Sequence, residues 1–302
     1  MSNADLYNPT QFTVFSGNKI IYRWSDFEGQ AGAVSDIHFA DFHLNYEAHP
    51  KFALISGGDI KLTGGQVASG DLYSPGVITL DRVPVNGYLH YGQEVKNIND
   101  SSPIRGKKPW IQNNTSQDAR LVKARLLKIM DFFNYASQYF KDLAQQRVRP
   151  SDGILSISSQ SRINSPVTVT EEDFRKTSVI RIDGSSLQLV VINILGGIGE
   201  FFGKDVQLSG GITPNNILFN FSQTHTLKVG RSGSQEFGIP GTILAPHAQV
   251  EFTDGRISGA LLVGDLCGDG QVNGYLFNWS NFKDLVQNPP QEPPCNCSKW
   301  DS

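Results

Sequence analysis

No apolar run in the chain is long enough to cross a bilayer, which takes roughly 20 residues. The longest, around Leu187–Phe202, is interrupted by Asn193 and Glu200. A basic field is missing too. Charged residues make up 18% and the formal net charge is −3, which leaves little to hold a polyanion and excludes nucleic acid as an expected partner. Cysteine is scarce: Cys267, Cys295 and Cys297 are too few for a disulfide scaffold. Cys295-Asn296-Cys297 is too tight for a zinc knuckle, and no histidine stands near to complete one. The expectation is a tail with exposed thiols, able to form intermolecular disulfides through Cys295 or Cys297. No basic-then-apolar leader opens the chain, and "SNA" after the first Met reads as a tag remnant. A signal peptide removed ahead of an extracellular or cell-surface protein is therefore expected.

Glycine is plentiful instead, at 30 residues without a collagen period. Together with many Ile, Val, Thr and Phe, it points to β structure with many tight turns. The turns recur in a pattern. "DIKLTGG" (Asp59–Gly65), "DVQLSGG" (Asp205–Gly211) and "QVEFTDG" (Gln249–Gly255) each alternate polar and apolar residues, then break at glycine. Period two marks a half-buried strand, and the glycines permit a sharp corner. "VNGYL" occurs at Val85–Leu89 and again at Val272–Leu276, within two similar blocks, roughly Phe52–Gly92 and Gly241–Asn278.

Short strands, glycine corners and near-repeats predict a mainly β, single-domain β-solenoid, right-handed and β-helix-like, in which the two similar blocks pack together. A β-sandwich is the alternative, since it too joins short strands by tight turns. One long helix is expected, at about 117–146. Val122, Leu126, Ile129, Phe133, Ala136, Phe140 and Leu143 recur at steps of three and four, Lys123, Lys128, Asp131, Lys141 and Asp142 face away, and Pro150 bars continuation. That stripe must bury, so the helix should lie along the solenoid flank. "LQLVVINILGG" reads as a strand buried on both faces. The chain then divides into an N-terminal tag or tail (1–11), the solenoid domain (12–285) and a Pro-rich, Cys-containing linker (286–302).

Several phrases are familiar. "SDFEG" (Ser25–Gly29), "LVVINI" with "VQLSGG", "NNILFNF" (Asn215–Phe221), "IPGTILAPHAQV" (Ile239–Val250) and "GRISGALLVGDL" (Gly255–Leu266) together resemble the choice-of-anchor A domain. The resemblance runs over roughly Phe12–Phe282, including "ASQYFKDLAQ" in the helix. It implies a bacterial, secreted or surface-displayed adhesin module, non-enzymatic, whose partner is an extracellular glycan, a matrix component or a surface protein. The stretch after the acidic motif, "QAGAVSD" (Gln30–Asp36), is poorer in glycine than the family pattern.

Candidate chemistry is thin, and no catalytic, cofactor-binding or metal-binding residue is assigned. Asp265, Cys267, Asp269 and Gly270 imitate the start of a calcium loop, but Cys is a poor oxygen-site ligand and Leu276 stands where the closing Glu is needed. Asp26 and Glu28 flank Phe27 and should share one strand face. They are first suspects for a carbohydrate-active enzyme, while the plainer expectation is a solvated face with Phe27 inward. None of His38, His43, His49, His90, His225 and His247 has a metal-ligand spacing with a third partner, and His247 is expected at a coil corner. "GGIGEFFG" (Gly196–Gly203) lacks a phosphate-loop lysine. "RGKKPW" (Arg105–Trp110) is a small basic-aromatic loop suited to an acidic glycan or a phospholipid, although a solvated loop is the commoner fate of such a run. Ice binding would need ordered threonine rows, and Thr-x-Thr occurs only at Thr168–Thr170 and Thr224–Thr226. Asn220-Phe221-Ser222 is a glycosylation sequon. Adhesion leads, and a structural block of an extracellular layer or appendage, linked through the tail cysteines, is the alternative.

Overall fold

The computed structural model describes residues 8–99, 111–113, 116–143, 146–158, 166–231 and 237–282. Among the described residues every strand pairing within the two sheets is parallel: 23 strands form one sheet and three form another. A β-sandwich, built from antiparallel sheets, is thereby set aside in favour of the solenoid. Most coils present three faces. The first face is one unbroken ladder, running Gln146–Arg147, Val167–Thr170, Val190–Leu195, Ile217–Asn220, Thr242–Thr253, Leu261–Gly268, Phe12–Ser16, Gln30–Ala33, Phe52–Ser56, Asp71–Ser74, Leu89–Tyr91 and Ile111–Asn113.

That order is not the order of the chain. The N-terminal strand lies mid-stack, with Val14 opposite Leu261 on one side and Ala31 on the other. From there the first half winds to one end. A helix, α1 (Ser116–Leu143), carries the chain back, and the second half winds from the opposite end until its last coil seals against the first. The 28 residues of α1 span about 42 Å at about 1.5 Å each. The ladder, at about 4.8 Å per strand, is about 50 Å long, so the helix makes most of the return. The two similar blocks thus share one stack without packing directly on each other: the coils of the first 45 residues intervene. Val272, Phe27, Leu44, Val67 and Val85 lie in one file, which puts the two "VNGYL" valines four rungs apart.

The first face is apolar on both sides. Ile192, Phe219, Ile243, Leu261, Val14 and Leu54 point into the solenoid. Val191, Leu218, Leu244, Leu262, Phe15 and Ile55 point out and are covered by Val122, Leu126, Ile129, Phe133, Ala136 and Phe140 of α1. Leu143, predicted to join that stripe, ends the helix half-exposed. Polar groups pin the helix as well. Asn220 donates to Asn193 Oδ1 at 2.6 Å and to the Ser137 carbonyl at 2.8 Å, and accepts from Ser137 Oγ at 2.6 Å. Asn193 donates to the Phe140 carbonyl at 3.0 Å. Because Asn220 is fully buried in this network, its sequon is closed to glycosylation in the folded chain.

The corners explain the repeated phrases. All six closing residues, Gly64 and Gly65, Gly210 and Gly211, Asp254 and Gly255, have positive φ, a backbone region glycine enters without steric cost. At the edge of the first face, Ser16, Ser56 and Ser74 each donate a hydroxyl to a carbonyl of the adjacent coil. His247 lies where strand Thr242–Thr253 shifts register between Ala245 and Gln249, in keeping with the expected corner. A short helix, α2 (Glu171–Arg175), is capped by the Thr170 side chain, and its Phe174 packs on Phe201 and Phe221. No described helix is long and apolar enough to cross a membrane. Arg105–Trp110, Cys295 and Cys297 lie outside the described residues.

Candidate functional site

With the first face under α1, two faces remain open. The second carries down its middle the row Glu200, Lys228, Glu251, Cys267, Ile21, His38, Lys61, Thr79 and Lys96. It is a flat row of mixed charge, and no threonine ladder runs along it. Thr168 and Thr170 lie on a first-face strand, and Thr224 is buried.

The third face holds a shallow groove of about 740 Å³ where the last coil meets the first. Its floor is a file of side chains one strand apart: Arg256, Gln271, Asp26, His43 and Gln66. Arg256 stands opposite Gln271, Asp26 opposite His43 and His43 opposite Gln66, while the pairing of Val272 with Phe27 brings Gln271 beside Asp26. Asn273 and Glu28 flank the file. Two exposed tyrosines stand at the groove, Tyr46 at 72% and Tyr275 at 48% exposure.

Asp26 and Glu28 do share a face with Phe27 turned inward, but they do separate work. The Glu28 carboxylate accepts the backbone N–H groups of Tyr46 at 3.0 Å, Glu47 at 3.3 Å and Ala48 at 2.8 Å. It builds the groove wall, and both its oxygens are engaged. Asp26 lies 3.3 Å from His43 Nδ1 across the rung, both about half-exposed. That arrangement offers hydrogen bonds and charge to a ligand. It does not set two free carboxyls either side of a scissile bond.

The second "VNGYL" completes the site. In the first copy, Val85 pairs on the third face, Asn86 and Gly87 turn, and Leu89 starts the next first-face strand. In the last coil Val272 pairs likewise, but no first-face strand follows. Asn273, Gly274 and Tyr275 become groove lining instead, while Phe277, Trp279 and Phe282 bury beneath α1. Sequence reasoning missed Tyr46, Gln66, Arg256, Gln271 and Tyr275, because the seam that unites them joins opposite ends of the chain.

The imitation calcium loop does not converge. Asp265 accepts from Asn18 Nδ2 at 3.2 Å, and Asp269 accepts from the Asp254 backbone N–H at 2.7 Å. Among the described residues, no three His, Cys, Asp or Glu side chains are grouped to hold a metal ion.

Comparison with known proteins gives a family. An ice-binding protein from the Antarctic ascomycete Antarctomyces psychrotrophicus aligns over 90% of this chain and 97% of its own, at 12% identity and a TM-score of 0.43. An ice-binding protein from an Antarctic biological consortium aligns over 88% and 87%, at 12% identity and a TM-score of 0.32. Likeness at these values says nothing about a ligand. No curated protein matches the sequence. The family model described as "Putative Ice-binding-like adhesive domain" matches residues 6–274. Since that match takes in both halves of the winding, the helix between them and all of the groove lining but Tyr275, the chain belongs to the ice-binding-like adhesive domain family.

Proposed function

We propose that this chain is a non-enzymatic extracellular adhesion module that lays a glycan along the third-face groove. Membership of an adhesive-domain family supports the coarse reading, and the sequence resemblance to the choice-of-anchor A domain favours surface display. The groove supplies the finer one. Its floor offers amide, carboxylate, imidazole and guanidinium groups at about 4.8 Å intervals, beside two exposed tyrosines. That combination suits a ligand that is polar at its rim and apolar on its ring faces. The file Arg256–Gln271–Asp26–His43–Gln66 is the observation that carries the proposal. Hydrolysis is the weaker reading because Glu28 is spent on the wall.

The test is a glycan and extracellular-matrix array probed with the folded chain, followed by the double variant Tyr46→Ala, Tyr275→Ala. Both tyrosines are exposed, so folding should be untouched. Losing two stacking faces should weaken binding to the best ligand at least about 10-fold. Unchanged binding, or no binding anywhere on the arrays, would refute the groove. The alternative, a covalently linked layer component, predicts disulfide-bonded multimers that vanish with Cys295→Ser and Cys297→Ser.

A further inference from the structure

The repeated phrase carries an aromatic residue in each copy, and a third falls between them. Val272, Phe27, Leu44, Val67 and Val85 stand on five successive rungs of the third face. Tyr275 follows Val272 by three residues, Tyr88 follows Val85 by three, and Tyr46 follows Leu44 by two. All three lie where the chain leaves the third face. They belong to the first, third and fifth of those rungs, so each is about 9.6 Å from the next along the stack. The rungs between carry no ring there: Gly29 and Gln30 follow Phe27, and Ser69 and Gly70 follow Val67.

The three positions are built alike. Tyr88 is 47% exposed, close to Tyr275. The Tyr46 N–H donates to Glu28 Oε1 at 3.0 Å and the Tyr88 N–H to Asp71 Oδ1 at 2.7 Å. In both cases the carboxylate comes from the preceding coil. The other Asp71 oxygen lies 3.3 Å from His90 Nε2, and the His90 ring stands 6.4 Å from that of Tyr88. The Tyr275 N–H donates to the Asn273 carbonyl at 2.7 Å. An exposed aromatic ring on a fixed backbone offers a stacking face at low entropic cost.

That interval selects a linkage. A β-1,4-linked hexopyranose chain is extended, turns each ring over relative to the last, and advances by about one rung per ring. One ring face therefore returns every second ring, in a straight line. An α-1,4-linked chain coils, and its ring faces leave that line. Beside the tyrosines, Gln271, Asp26, His43 and Gln66 put one polar side chain on each of four rungs, suited to the hydroxyls of successive rings. We infer that the ligand is a β-1,4-linked hexopyranose chain whose alternate rings stack on Tyr275, Tyr46 and Tyr88, and that Tyr88 extends the site beyond the groove. This rests on the groove being the glycan site and adds the linkage and the length.

The experiment is titration calorimetry of the folded chain with cellohexaose, chitohexaose and maltohexaose, then with shorter members of whichever series binds. At least one β-1,4-linked hexasaccharide should bind and maltohexaose should not; the preferred arm tells a plain from an N-acetylated chain. Affinity should climb from trisaccharide to pentasaccharide and then level off, since five rungs separate the outermost tyrosines inclusively. Tyr88→Ala should weaken the hexasaccharide at least about 10-fold and leave the trisaccharide, which Tyr275 and Tyr46 can hold alone, unchanged. Tyr88→Phe keeps the ring and should restore hexasaccharide binding. Equal binding of maltohexaose, an affinity that stops rising at the trisaccharide, or hexasaccharide binding indifferent to Tyr88→Ala would overturn the inference. If neither β-1,4-linked hexasaccharide binds but the arrays yield another glycan that Tyr46→Ala, Tyr275→Ala releases, the groove stands and the linkage falls. If no glycan binds at all, the groove itself falls and takes the linkage with it.

Discussion

At the scale of single residues, the chain repeatedly uses one polar side chain to fix two elements. Glu28 gathers three backbone N–H groups and so sets the groove wall. Asn220 does the equivalent deep inside, tying strand Ile217–Asn220 to its neighbour through Asn193 and to α1 through Ser137. In a low-dielectric interior a complete network of this kind is favourable, while a broken one leaves atoms that water cannot reach. Asn220→Leu fills similar space but strands Asn193 Oδ1 and the Ser137 hydroxyl. It should cost about 2 kcal/mol, read as a shifted midpoint in urea unfolding with the slope unchanged. The compensating variant Asn193→Leu, Asn220→Leu should recover part of that loss, because the coupled pair is then removed together. An undisturbed midpoint for Asn220→Leu would show that the network contributes nothing.

At the scale of elements, α1 is the part that makes this winding workable. A solenoid whose two halves approach from opposite ends needs a return path along the stack, and an α-helix supplies most of it with every internal backbone group satisfied. It also covers the apolar outer side of the first face. Phe133 is fully buried against Phe15 at a centroid distance of 5.4 Å. Phe133→Ala should cost about 3–5 kcal/mol and raise hydrogen exchange in α1 and in the strands beneath it. Loss confined to the helix would mean that it rides on a self-sufficient stack. Much at this scale was legible in the chain. The helix is a local matter of three- and four-residue spacing, and the expected 117–146 lies close to Ser116–Leu143. The strand phrases alternate locally, and their glycine corners carry the positive φ they advertise. Asp26 and Glu28 could be placed on one face because adjacency in a strand fixes it. Their partners could not. Arg256 and Gln271 reach Asp26 only through parallel pairing between the two ends of the chain, and no local periodicity encodes which coil docks on which.

At the scale of the whole molecule, the seam is what closes the stack. Parallel coils leave unpaired backbone edges wherever the stack is interrupted, and bare edges recruit other strands. Here the first coil would be such an edge if the last coil did not cover it. Strand Leu261–Gly268 is paired with Thr242–Thr253 on one side and with Phe12–Ser16 and Ile20–Arg23 on the other. Leu261, Leu262, Val263, Leu266 and Val272 of that coil are all buried. The groove draws lining from it. Ending the chain after Gly259 should therefore do more than delete a repeat, as it would in an open solenoid where terminal units are dispensable. It should expose two edges facing one another in mid-stack, uncover Phe15 beneath the helix, and convert a cooperatively folded chain into aggregating material, followed by size-exclusion chromatography and by loss of a single thermal transition. Removing coils from the outer end of the second half, by deleting Gln146–Leu189 so that its winding starts at Val190, should be tolerated better, because it moves an edge that already exists. If the Gly259 truncation instead stayed soluble and melted in one sharp step, the two halves would be independent stacks bridged by α1. The groove would then be a surface where they touch rather than the place where they are joined.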